Sequence, residues 1–196
     1  MLASEESMLW ALVDSISNTA RSEQEMAESL LGKLSKLPIP RVARFQRELL
    51  DCVNGLLNWR LWEAADVIHE RPCSGDTFAD FRLWVVAQGS EVCREVLRDP
   101  DSLASISEIE RIVRLPQPWD DVDYPHFASL GALASDAFDV ILGKLSPAIA
   151  ESIDRPAVLD EQIPAYLEGS FPSDYGVDTA VHVRLPMLSA MRGWSV

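Results

Sequence analysis

Apolar residues recur every three to four positions through the first 145 residues, and that period commits most of the chain to helices. After Ser7 they fall at Leu9, Leu12, Val13 and Ile16. Ser22 with Glu25 three residues on is a capping box, and the stripe Met26, Leu30, Leu34 and Leu37 follows before Pro38 and Pro40 stop the helix. A third stripe is Val42, Phe45, Leu49, Cys52 or Val53, and Leu56, with a break expected near Asn58 because Gly55 and Asn58 are weak helix formers. Trp59 to His69 reads as a fourth helix. The loop Pro72-Cys73-Ser74-Gly75-Asp76 separates it from a fifth, capped by Thr77 and running to Arg98, where Asp99-Pro100-Asp101 ends it. Two more are expected over 105–114 and 127–145, joined by an acidic, proline-rich connection. Beyond Pro147 the prolines at 156, 164, 172 and 186 leave room for short helices and irregular chain, and Val181-His182-Val183 alternates like a strand but is too short to assign. The expected architecture is all-α: a single-domain bundle of about seven helices over 1–145, with 146–196 as an irregular C-terminal extension packed on it.

A chain of 196 residues with 47% hydrophobic residues buries a core without staples and is not intrinsically disordered. No run approaches the length of a transmembrane helix, and Glu5 and Glu6 stand where a secretory signal carries basic residues. Cys52, Cys73 and Cys93 are odd in number, with neither a Cys-x-x-Cys pair nor zinc spacing. A cytoplasmic protein with free thiols is expected. The formal charge is −14, which argues against nucleic acid as a partner. It is unevenly spread: the net is −2 over 1–58, −4 over 59–115 and −8 over 116–196.

The segments Phe45-Gln46, Trp59-Arg60-Leu61-Trp62-Glu63-Ala64-Ala65 and Cys73-Ser74-Gly75-Asp76-Thr77-Phe78-Ala79-Asp80-Phe81-Arg82-Leu83-Trp84, continuing to Gly89, stand in order. With Leu37-Pro38 and Asp99-Pro100-Asp101-Ser102-Leu103, they are similar to the bacterial family catalogued as domain of unknown function 4240. The resemblance covers roughly residues 8 to 140. It implies a mostly helical fold and no established activity. Two positions depart from the family pattern: Gly75 replaces an Asp of the Cys-Ser-Asp-Asp loop, and Arg71-Pro72 replaces a Gly-Gly pair before the Cys.

Several constellations could carry chemistry. The tryptophans Trp59, Trp62 and Trp84, with Phe78 and Phe81, read as the crossing of two helices or as a stacking pocket. Arg82 in this apolar company is expected to pair with Asp66, Asp76 or Glu63, or to bind an anionic ligand. A ligand pocket would therefore draw on Trp59, Trp62, Asp66, Asp76, Arg82 and Trp84. Asp66-x-x-His69 and Asp123-x-x-His126 have a spacing used in dinuclear helical sites, but Pro125 opposes helix at the second, so no metal and no cofactor are expected. Cys73 and Ser74 near His69 lack an oxyanion-hole glycine cluster. Trp119, Asp120, Asp121, Asp123 and Tyr124 combine aromatic rings with charge, as interface anchors do. Two functions fit: a non-enzymatic protein-interaction module, immunity-protein or inhibitor-like, whose acidic surface meets a basic protein, or a small-ligand binder or enzyme using the Trp/Asp/Arg pocket. Neither nucleic acid nor membrane is an expected partner, and the oligomeric state is open.

Overall fold

The structure, a computed structural model, describes residues 7–20, 22–116, 119, 124–165 and 173–194. It is all-helical. The main helices are α1 (Met8–Ser17), α2 (Glu23–Leu34), α3 (Ile39–Gly55), α4 (Trp59–His69), α5 (Gly75–Ala87), α6 (Ser90–Arg98), α7 (Ser107–Val113) and α8 (Leu133–Leu142). Short helices α9 (Pro147–Ala150), α10 (Asp178–Arg184) and α11 (Pro186–Met191) follow. The strand-like Val181-His182-Val183 lies inside α10, so the helical period prevails over local alternation there. Among the described residues no helix is long and apolar enough to cross a membrane.

Helix starts follow the capping chemistry. Ser22 Oγ accepts from Glu25 N at 3.2 Å, and Asn58 Oδ1 accepts from Leu61 N at 3.0 Å. The fifth helix starts earlier than expected: Ser74, not Thr77, is its cap, accepting from Thr77 N at 3.1 Å. It also ends earlier. The expected run to Arg98 is two helices, because Gly89 takes φ 102° and ψ 170°, a backbone region open essentially to glycine alone. The apolar period continues across this break, which hides it from a pattern reading. A Cβ on Gly89 would also lie 3.0 Å from Asp14 Oδ1 and 3.2 Å from Ser17 Oγ. That close approach lets Ser90 donate to the Asp14 carboxylate through N at 2.7 Å and Oγ at 2.6 Å, fastening α6 to α1.

α5 is the central helix. Phe78, Phe81, Arg82, Leu83, Trp84, Val85, Val86 and Ala87 are all buried, so it is covered on nearly every face. Its aromatic rings run in contact: Trp62 to Phe78 at 4.5 Å between centroids, Phe78 to Phe81 at 6.5 Å and Phe81 to Trp84 at 5.7 Å. Arg82 is fully buried among them. In place of the expected carboxylate partner, Arg82 binds carbonyls. Its Nη1 donates to Val53 O at 2.9 Å, its Nη2 to Pro164 O, and its Nε to Phe78 O at 3.4 Å, with the guanidinium 5.1 Å from the Phe78 ring centroid. Val53 lies in the last turn of α3, where a carbonyl has no partner within its helix and the helix dipole favours a cation.

The C-terminal segment packs on the bundle through buried polar anchors. Glu63, 2% exposed, accepts two bonds from Arg184 and one from Gly176 N. Asp101, 4% exposed, accepts from Met187 N at 2.8 Å and Leu188 N at 2.9 Å, capping α11. Arg192 donates to Val67 O, Ile68 O and Val113 O, carbonyls at the ends of α4 and α7.

Two substitutions test this scheme by urea unfolding. Gly89→Ala is expected to destabilise by about 1–3 kcal/mol through strain alone. Arg82→Ala is expected to cost about 3–5 kcal/mol, with Arg82→Lys recovering less than half, because one ammonium cannot fork between α3 and the C-terminal segment.

Candidate functional site

The chain leaves α4 through Glu70, whose φ of 53° reverses its direction, and the Cys73 loop folds back over the helix end. Asp66 holds that loop: its Oδ1 accepts from Cys73 N at 2.7 Å. Its Oδ2 accepts from the Tyr175 hydroxyl at 2.5 Å, so one carboxylate joins α4, the loop and the C-terminal segment. Burial pushes the Asp66 pKa up, against the two hydrogen bonds that favour the anion.

His69 sits beneath this loop, 2% exposed. Its Nδ1 lies 2.7 Å from Ala65 O. A carbonyl only accepts, so Nδ1 carries the proton and Nε2 keeps the lone pair. The ring stacks on Tyr124 at 5.8 Å and meets Phe81 edge-on at 5.9 Å. Burial lowers the His69 pKa to about 4, so the ring is neutral at pH 7. Cys73 Sγ is 3.5 Å from Nδ1, the proximity a nucleophile and its base would need. Their electrostatics are those of packing: burial and the Asp66 carboxylate raise the thiol pKa well above its usual value, while the Nδ1 proton is committed to Ala65.

Beside His69 opens a cleft in two connected parts. The smaller, about 350 Å³, is lined by His69, Arg71, Thr77, Asp80, Tyr124, Pro125 and His126. The larger, about 970 Å³, shares Tyr124 and His126 and extends over Trp84 of α5 and Gln88 just past its end, Glu23 and Ala27 of α2, and Glu108 and Arg111 of α7. The segment carrying Tyr124 and His126 is pinned to α5 by Phe127 N donating to Asp80 O at 3.3 Å. His126 Nε2 faces Glu23 Oε2 at 3.9 Å, and burial raises the Asp80 pKa while His126 opposes that shift.

The six residues proposed for a single pocket are dispersed. Trp62 and Arg82 belong to the core, and Trp84, also buried, lines the larger cleft. Trp59 is half-buried beneath the Arg184 guanidinium, 5.6 Å from its ring centroid. Asp66 is the loop anchor, and Asp76 is exposed in the first turn of α5. Burial of α5 on nearly every face explains the dispersal, because its aromatic residues turn into the bundle rather than toward a common cavity. Trp119 and Tyr124 turn inward as well. Trp119 is 6% exposed, packed edge-on to Tyr124 at 5.3 Å and covered by Arg192 at 5.4 Å. Asp120, Asp121 and Asp123 lie outside the described residues. Among the described residues no group of three His, Cys, Asp or Glu side chains could hold a metal ion. The place of Gln88, Glu23, Asp80 and Arg111 at the cleft was not legible in the sequence, because polar residues scattered around α2, α5 and α7 carry no local signal.

Residues 5–140 match the family model described as "Protein of unknown function (DUF4240)". The chain belongs to this family. No curated protein and no solved structure matches it. Every residue named above as lining the cleft falls inside the family-matched region, whereas Pro164, Tyr175, Arg184 and Arg192 lie beyond it. Gly75, a departure from the expected family loop, is buried as the first residue of α5.

Between about pH 4 and 6.5 the unfolded chain binds a proton at His69 that the folded chain refuses. Stability is therefore expected to fall by about 3 kcal/mol as the solution is acidified through that window. Urea unfolding across this range checks it, and His69→Asn, which keeps a donor for Ala65 O, is expected to flatten the dependence.

Proposed function

We propose that this protein binds a small polar ligand in the cleft shared by Tyr124 and His126. The observation that carries this reading is the cleft itself. Its larger part, about 970 Å³, lies at the upper end of the range for small-molecule sites. Its lining sets the rings of Trp84, Tyr124 and Phe127 beside the polar groups of Glu23, Gln88, Glu108, Arg111 and His126. Aromatic faces supply area for a planar group, and the polar groups around them fix its orientation. The smaller part is lined by the neutral His69 ring, with Thr77 and Asp80 beside it.

A second reading, a basic protein partner, is favoured by charge. The C-terminal third carries 12 acidic residues against 4 basic ones. All four of those basic side chains, Lys144, Arg155, Arg184 and Arg192, bond within the chain. Asp139, Asp160, Glu161 and Asp174 pair within the chain, yet the segment keeps its net charge of −8 to attract an outside cation, and Asp120, Asp121 and Asp123 immediately precede Tyr124 in the sequence. An immunity-protein or inhibitor-like role in the cytoplasm belongs to this reading.

One experiment separates the two. A small-molecule library is screened by thermal shift on the wild type and on Ala27→Phe, which fills the cleft from the α2 side. Ligand binding predicts hits that survive 0.5 M salt and are lost in Ala27→Phe. If no compound stabilises the protein, or if Ala27→Phe binds as the wild type does, the cleft reading fails. A partner recovered at low salt and released as salt rises supports the charge reading instead.

A further inference from the structure

Two sulfur atoms stand apart from the cleft. Cys52 is on α3 and Cys93 on α6, 41 positions apart in sequence, and their Sγ atoms lie 3.4 Å from each other. Cys93 is 1% exposed, whereas Cys52 is half-buried and so the more accessible of the two. Both thiols are free. A disulfide places its sulfurs about 2.05 Å apart, so closure requires the atoms to approach by only about 1.4 Å, within reach of small side-chain rotations. The third cysteine has a different neighbour, the His69 ring.

We propose that Cys52 and Cys93 form an oxidative modification site, in which a peroxide converts the paired thiols into a disulfide that staples α3 to α6. Cys52 as thiolate attacks one peroxide oxygen. The O–O bond breaks, a sulfenic acid forms on Cys52 and hydroxide leaves. Cys93 Sγ then attacks the Cys52 sulfur, the S–O bond breaks, and the hydroxyl departs as water while the S–S bond forms. The two thiols lose two electrons and two protons, and one hydrogen peroxide becomes two waters. Accessibility assigns the first step to Cys52. Once Cys52 is ionised only Cys93 can donate between the two sulfurs, and that hydrogen bond lowers the Cys52 pKa, in keeping with the order accessibility gives. In a reducing compartment such a bond is transient, as disulfides that respond to oxidants are.

The test uses the full chain treated with hydrogen peroxide, then mapped as unreduced peptides by mass spectrometry. The expected result is a loss of two hydrogen masses per chain and a linked Cys52–Cys93 peptide that thiol reductant separates. The link closes a long loop, so the melting temperature is expected to rise by roughly 5 °C or more on oxidation and to return on reduction. Both changes should vanish in Cys52→Ser and persist in Cys73→Ser. The proposal is overturned if Cys52 takes up oxygen without linking, if linked peptides come only from covalent dimers, or if peroxide leaves both thiols titratable while the urea-unfolded chain is oxidised. The wild-type peptide map decides the matter even if a Cys93 variant fails to fold.

Discussion

Guanidinium groups seated on the carbonyl ends of helices hold this bundle together. A helix ends with carbonyls that have no partner inside it, and a bundle of many short helices buries many such ends. Arg82 closes the end of α3 and Arg192 closes those of α4 and α7, each spreading its donors over carbonyls from separate elements. The favourable end of the helix dipole is added to the hydrogen bonds, so a charge can be buried with little or no carboxylate at hand. Burial still lowers the Arg82 pKa, to about 10, yet leaves it cationic at neutral pH.

This use of arginine releases the nearby carboxylates for other work. Glu63 and Asp66 lie on α4, close enough in sequence to have been natural partners for Arg82. They instead receive Arg184, Gly176 and Tyr175 from the C-terminal segment, while Asp101 caps α11. Asp66 also sets the Cys73 loop over His69, and His69 in turn stacks on Tyr124 at the edge of the cleft. The cleft wall is therefore continuous, through neighbouring contacts, with the anchors of the C-terminal segment.

The helices were legible where one face is apolar and the ends carry caps, as at Ser22 and around Asn58. They were less legible around α5. Its apolar residues surround the helix, so their spacing gave no signal for a start at Gly75 or for the break at Gly89, whose cause is a backbone angle and the nearness of Asp14. The site was harder still. Tyr124 and Trp84 were singled out for their rings, but their roles follow from which way they face. Arg82 was recognised as a buried cation, and its partners were misassigned because carbonyls at helix ends leave no mark in a sequence. His126 was weighed only as a metal ligand, whereas its place at the cleft depends on Phe127 N binding Asp80 O across the fold.

The anchors from the C-terminal segment bear on where this protein's smallest foldable unit ends. Residues 5–140 carry the family match, yet the buried carboxylate of Glu63, the half-buried one of Asp66, the Arg82 guanidinium and the last carbonyls of α4 all draw partners from residues 164–192. A chain cut at the limit of the family match would keep every residue named as lining the cleft and would take a partner away from each of Glu63, Asp66 and Arg82. The limit of the family match and the reach of the contacts that cover the bundle thus fall at different places in this molecule.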